Sequence, residues 1–271
     1  MPPEDAGSGE LEYHEALYSG FAQAHFAKPA VRAFRAHLVA RILRVTGATP
    51  ASRVLSLGCG IGDTELLLAR AVRSVVGVDF SPAAIRQARE DARRASLDNV
   101  EFLNSDLAGL QFAEGSFDLV LAIFFLHHLG EDQLRFLLPR VLGWLVPDGL
   151  FYSLDPNRYR LLGAVGKVLV PGLMKRYHAP GERELVPSAL RGQFIEAGFQ
   201  ADVRMYDFLS TPLAGLLPNA RCSYRLTRWL DNLLVRLPLI RRLGSNFELI
   251  GRPRRFAPPL SLQSEESRSQ R

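Results

Sequence analysis

Apolar positions along the chain follow two spacings, and the switches between them mark out the predicted elements. Between residues 12 and 45 the spacing is helical: in AVRAFRAHLVARIL it puts Val31, Phe34, Leu38, Ile42 and Val45 on one face. Two short runs, RVLSL and SVVGVDF, read as strands, with a helix over 64–72 between them. SPAAIRQAREDARRA opens with Ser81 as a cap and Pro82 at the first helical position, where the missing N–H costs nothing. NVEFLNSD and SFDLVLAIFF then predict strands, EDQLRFLLPRVLGWL a helix and GLFYSLDPN a fifth strand; FQADVRMYDF and NFELIGRP read as the sixth and seventh. Strands separated by helices imply βαβ units and a mainly parallel α/β sheet. The apolar character of DLVLAIFF fits a central strand covered on both faces.

The first strand runs into VLSLGCGIGD, with glycines at 58, 60 and 62. Residues without Cβ allow positive φ and let another group touch the main chain, so the turn reads either as a ligand cradle or as a tight structural turn. Asp79 ends the second strand and Asp106 follows the third, both at the carboxyl edge where open parallel sheets bind ligands. A carboxylate at 79 can accept from two ribose hydroxyls, and one at 106 can meet an exocyclic amine of a purine. An Asx turn or helix cap is the structural alternative for each.

LSLGCGIGD, VVGVDFSP, LNSDL, FDLVLAIFFLHHL, WLVPDGLFYSLDPN and LVPSALRGQFIEAGF follow one another between residues 54 and 205. In order and spacing these blocks resemble the class I S-adenosylmethionine-dependent methyltransferases, closest to the branch of quinone-biosynthesis and other small-molecule enzymes. The resemblance implies a Rossmann-like seven-stranded, mainly parallel sheet with helices on both faces, an antiparallel last strand and helical cap additions. It implies S-adenosylmethionine as cofactor, with Gly58, Gly60 and Gly62 near its methionine part, Asp79 on the ribose, and Asp106 with Leu107 on the adenine. Cys59, Phe80 and Ile123 belong to the same implied cofactor set, Cys59 chiefly as a small packing residue. A nicotinamide-binding Rossmann domain is the competing use of such a turn, but its last two glycines are spaced by two residues and those of GCGIG by one.

Members of the family commonly carry an acidic residue at the position of Ser56, where it anchors the cofactor's amino group. Serine supplies no charge, a loss of about 1–3 kcal/mol if nothing replaces it. Asp63, at the start of the next helix, is the carboxylate predicted to compensate. Without compensation the alternative is a cofactor-binding module with no catalysis. Methyl transfer needs an acceptor held in line and, for a hydroxyl acceptor, a base. His127 and His128, after the fourth strand, are the candidate bases, and Asp155, ending the fifth, the carboxylate that orients one of them. His178 is a weaker candidate on a predicted lid.

The predicted division is a helical cap at 1–46, a catalytic domain at 47–252 with insertions at 157–180 and 209–243, and a disordered tail at 253–271. The first insertion has no acidic residue and the second is rich in leucine and arginine. Their apolar faces predict a lipophilic acceptor, or leucines that merely dock the insertions; cationic amphipathic segments can also lie on an anionic membrane. A peripheral enzyme acting on lipids is therefore a further alternative. The formal net charge of +5 over 271 residues is carried almost wholly by arginine, which fits a solvated basic surface. FLHHL stands where enzymes methylating base amino groups carry Asn/Asp-Pro-Pro-aromatic, and no Pro-Cys pair occurs, so no nucleic-acid partner is expected. Two cysteines give neither a disulfide framework nor metal-ligand spacing, and the polar start MPPEDAGSGE gives no secretory signal; a cytoplasmic, metal-free protein is expected. Nothing in the pattern decides the oligomeric state.

Overall fold

The computed structural model describes residues 22–169, 183–238 and 240–254. Helix α1 (Ala22–Phe26) and α2 (Pro29–Thr46) precede β1 (Arg53–Leu57), α3 (Asp63–Leu68), β2 (Ser74–Asp79), α4 (Pro82–Arg94) and β3 (Val100–Asn104). After these come β4 (Phe117–Ile123), α5 (Glu131–Trp144), β5 (Leu145–Pro156), α6 (Leu161–Leu169), α7 (Pro187–Glu196), β6 (Phe199–Asp207), α8 (Ser210–Leu216), α9 (Arg221–Leu234) and β7 (Asn246–Pro253). The seven strands form one sheet in the order β3-β2-β1-β4-β5-β7-β6. β1 to β5 pair in parallel, and β7 enters antiparallel between β5 and β6. The expected α/β sheet with an antiparallel last strand is therefore present.

Alternate residues of each strand feed opposite layers. Leu55, Leu57, Val120 and Phe151 pack with Leu134, Leu137 and Leu138 of α5 and Phe194 of α7. Val54, Leu119, Leu121 and Tyr152 face the other way, onto Phe34, Leu38 and Ile42 of α2. Leu38 is fully buried, and truncating it to alanine would cost about 2–5 kcal/mol.

The structure departs from the sequence pattern at several points. The long N-terminal helix is broken between Phe26 and Pro29, because a proline without an N–H begins a new helix more easily than it continues an old one. Within α2, Val45 is only half-buried, near the end of the helix. Helix α3 stops at Leu68 rather than reaching 72, and Ala69 takes its C-cap position.

Helix α2 is fastened to the sheet across a long stretch of sequence. Arg41 of α2 donates from Nε and Nη2 to the two oxygens of Glu248 on β7, at 2.7 and 2.5 Å, and Tyr152 OH donates to Glu248 Oε2 at 3.1 Å. Glu248 is fully buried, so this bidentate pair satisfies a carboxylate that water cannot reach.

Candidate functional site

All three glycines of the first turn have left-handed φ, +67° at Gly58, +54° at Gly60 and +75° at Gly62. A Cβ at Gly58 would run into the Phe125 ring, and one at Gly62 would stand 2.5 Å from Phe102. Part of the glycine requirement is thus protein packing. The Gly60 amide donates to Asp79 Oδ2 at 2.8 Å, and the Ser81 amide to Oδ1 at 3.0 Å, so the turn after β1 is tied to the end of β2. Asp79 is buried, and burial raises its carboxyl against the pull of these two amides and of His128. The Phe80 amide adds a third backbone bond, and a carboxylate with about four lone-pair sites still has room for another donor. Phe80 is exposed beside it, and the Asn104 side-chain amide binds the carbonyls of both Asp79 and Phe80.

Ser56 and Asp63 stand otherwise than the sequence suggests. Asp63 pairs with Arg35 of α2, Oδ2 to Nε at 2.6 Å, and the same guanidinium donates to Thr64 Oγ1. The carboxylate that reaches Ser56 is Glu65, in the first turn of α3. Ser56 Oγ donates to Glu65 Oε1 at 2.6 Å, and Glu65 Oε2 is buried with no hydrogen-bond partner. Burial is the chief reason that the Glu65 carboxyl is pushed up to about 7. Cys59, on the turn itself, is buried, and its thiol is pushed well up by burial and then by the charge of Glu65. Glu65 was not among the expected residues. Its signal was a second acidic position beside the apolar run of DTELLL, readable only once α3 is placed against β1.

At the neighbouring strand ends, His127 is buried and its Nδ1 lies 3.0 Å from Asp155 Oδ1, which also accepts the His127 backbone N–H at 3.3 Å. Asp155 is fully buried and its Oδ2 has no partner. A carboxylate on Nδ1 selects the tautomer with Nε2 unprotonated, the form a base needs. The His128 ring is 4.1 Å from that of His127, and its charge acts on Asp79, so the two histidines serve different neighbours. Ile123 closes β4 and is buried; the next residue, Phe124, takes the left-handed region at φ +53°. That conformation costs a bulky residue about 1–3 kcal/mol and turns Phe125 over Gly58.

Asp106 is exposed, and its Oδ1 accepts from the Gly109 N–H at 2.7 Å, the Asx-type turn that was the structural alternative. The carbonyl of the half-buried Leu107 accepts from Arg140 at 2.6 Å. His178 lies outside the described residues. Among those described, no group of three or more His, Cys, Asp or Glu could hold a metal ion. An open cavity of about 750 Å³ near Asp148, Gln200 and Arg252 lies at the opposite end of the sheet from these residues.

Comparison with known proteins gives this arrangement a class. The family described as "Methyltransferase domain" matches residues 54–149, which hold the glycine turn, Asp79, Asp106 and both histidines. The solved S-adenosylmethionine-dependent methyltransferase of Aquifex aeolicus is 14% identical, covers 79% of this chain and 88% of its own, and has a TM-score of 0.52. The DhpI-SAM-HEP complex is 17% identical, covers 93% of this chain and 100% of its own, at TM-score 0.59. Residues 54–149 are thus similar to methyltransferase domains, and the chain has the fold of these solved structures.

Among curated proteins, a 23S rRNA (uracil(1939)-C(5))-methyltransferase of Aeromonas salmonicida is 44% identical over 88 residues, 31% of this chain and 20% of that protein. An uncharacterized methyltransferase of Synechocystis is 36% identical over 110 residues, 41% of this chain and 50% of the relative. The chain thus spans about a fifth of the rRNA enzyme and half of the Synechocystis protein. Nothing in these relatives singles out the quinone-biosynthesis branch.

Proposed function

We propose that the protein is an enzyme that transfers a methyl group from S-adenosylmethionine to oxygen, carbon or nitrogen of a small lipophilic acceptor such as a quinone precursor, polyketide or lipid-like molecule. The observation that carries the reading is the tie between Gly60 and Asp79 with the unpartnered Glu65 oxygen behind the same turn. The donor set fits a ligand with a diol and a cationic end: Asp79 keeps acceptor capacity for ribose hydroxyls, and Glu65 offers a carboxylate to an ammonium. Gly58, Gly60 and Gly62 would shape the main chain around the methionine part, with Cys59 and Ile123 packed behind it. Phe80, Asp106 and Leu107 would line the adenine end, Asp106 through the oxygen its turn leaves over.

When bound, S-adenosylmethionine supplies an electrophilic methyl on a sulfonium. The chain's own work is positioning, which can contribute much of such an acceleration, and removal of a proton from the acceptor. Asp155 holds the Nδ1 proton of His127, leaving Nε2 to take the acceptor's proton. His128, beside Asp79, serves the cofactor end. The apolar residues of the segments after β5 and β6 support a lipophilic acceptor.

Titration calorimetry with S-adenosylmethionine and S-adenosylhomocysteine, followed by a mass-spectrometric search for a methyl increment on a panel of phenolic, quinone and polyketide acceptors, tests the reading. Saturable binding with turnover supports it. Binding without turnover on any acceptor makes the protein a cofactor-binding module, and absence of binding removes the proposal. One second reading has an observation behind it, the identity to an rRNA (uracil-C5)-methyltransferase. Methyl incorporation into unmodified ribosomal RNA, with none on the small acceptors, would replace the small-molecule proposal with that one.

A further inference from the structure

The segment at 209–243 contains six arginines and a single acidic residue, Asp231. Its inner side is fully committed. Asp231 accepts the backbone N–H groups of Phe208, Leu209 and Ser210, and so caps α8 from within α9. Arg228 donates to the Tyr206 carbonyl at 3.0 Å and stacks 4.7 Å over the Tyr206 ring. Tyr224 packs into the layer around Phe34. These contacts fix the rotation of α9, so its outer face is not free to turn inward.

That outer face is apolar. Leu226 is 62% exposed and Trp229 59%, and Leu233 continues the same side at helical spacing, with Leu237 and Ile240 exposed beyond the helix end. Leu209, Leu213, Leu230 and Leu234 are half-buried toward the domain, whereas Leu226, Leu233 and Leu237 face water. Arg225, Arg236, Arg241 and Arg242 are exposed around them. A row of leucines with a tryptophan, bordered by cations and free of acidic side chains, is the composition that settles in the headgroup region of an anionic bilayer. Nucleic-acid interfaces are far more polar, and leucine gains nothing against phosphate. The stripe also ends at the functional edge of the sheet. Asn157, two residues past Asp155, donates from its side chain to the carbonyls of Arg242 and Gly244, at 2.9 and 2.8 Å. No described helix is long and apolar enough to cross a membrane, so contact would be at the surface.

We propose that the outer face of α9, from Leu226 to Leu233, together with the exposed Leu237 and Ile240 that follow the helix and the bordering arginines, docks the protein on an anionic membrane surface, bringing the strand ends that carry His127 and Asp155 to a lipid-dissolved acceptor. The second half of this statement rests on the lipophilic-acceptor reading; the docking itself does not.

Flotation of the whole protein with phosphatidylcholine vesicles, with and without phosphatidylglycerol, tests it. Partition at least tenfold higher on anionic vesicles, falling with added salt, is expected, together with a blue shift of tryptophan emission. Trp229→Ser with Leu233→Ser should abolish both, and Arg241→Gln with Arg242→Gln should lower partition by about fivefold per arginine. All four side chains are exposed, so unchanged melting temperatures are expected of these variants. Equal partition on neutral and anionic vesicles, or wild-type partition by the Trp229/Leu233 variant, overturns the proposal. So does a dimer in sedimentation velocity that the same variant dissociates, or RNA retention lost in that variant without any vesicle binding. Flotation requires neither cofactor nor turnover, so its failure is distinguishable from failure of the methyl-transfer reading.

Discussion

Replacing Glu65 by glutamine keeps the length of the side chain and an oxygen to accept from Ser56 Oγ, but removes a buried group that titrates near neutrality. In the folded protein burial pushes this carboxyl up from 4.5 to about 7. Between those values the folded chain holds a proton that the unfolded chain has lost, so the wild-type protein without ligand loses stability as pH rises. At about 1.4 kcal/mol per unit, the whole window is worth about 3 kcal/mol. The slope attributable to this residue should vanish in Glu65→Gln, and the variant should melt higher than wild type at pH 7.5. Cofactor affinity should move the opposite way. Loss of a charge-assisted hydrogen bond to the ligand's ammonium is worth about 1–3 kcal/mol, or about 5- to 150-fold in Kd. S-adenosylmethionine and S-adenosylhomocysteine share that ammonium, so both should weaken together. Calorimetry at pH 7 in buffers of different ionisation enthalpy should also register proton release on binding to wild type and none on binding to the variant. A variant with wild-type affinity and an unchanged pH profile of melting would refute the assignment of Glu65, while leaving the fold untouched.

Asp79→Asn should weaken cofactor binding by about 1–3 kcal/mol in the same titration, because one oxygen becomes a donor; undiminished affinity would rule out a ribose contact. In a methyl-incorporation assay, His127→Ala and Asp155→Asn should lower kcat by about 100-fold or more with little effect on cofactor Kd. His128→Ala should act mainly on Kd, and the opposite split would exchange the two roles. Glu248→Gln should lower stability in urea melts by about 3–5 kcal/mol, since it leaves the Arg41 guanidinium without its buried counter-charge. A loss below about 1 kcal/mol would mean that water reaches the pair. Gly58→Ala should destabilise the protein through both its positive φ and the collision with Phe125; wild-type melting would show that the turn can relax.

The sheet was legible because each strand carries its burial in its own composition: LVLAI is apolar throughout and forms the body of β4, covered on both faces. Ser81 and Pro82 likewise announced α4, and the Ser81 side chain accepts the Ala84 N–H as a cap should. What local pattern could not show is which polar residues meet. Asp63 and Glu65 are two positions apart on α3, yet one is taken by Arg35 and the other turns to Ser56, a difference set by the packing of α2 and β1 around the helix. Arg41 and Glu248 are 207 residues apart, and no periodicity links them. The left-handed Phe124 was equally hidden, because a bulky residue in that region reflects tertiary constraint rather than preference.

The position of β7 bears on how the chain is made. β6 touches the sheet only through β7, and β5 has one edge open until β7 arrives. While the protein is being synthesised, the sheet therefore waits for residues 246–253 to leave the ribosome, and until then Arg41 has no counter-ion. A transcript cut short before that strand would yield a product with an unpaired edge and an unneutralised cation in its interior, a substrate for proteolysis rather than a smaller working enzyme.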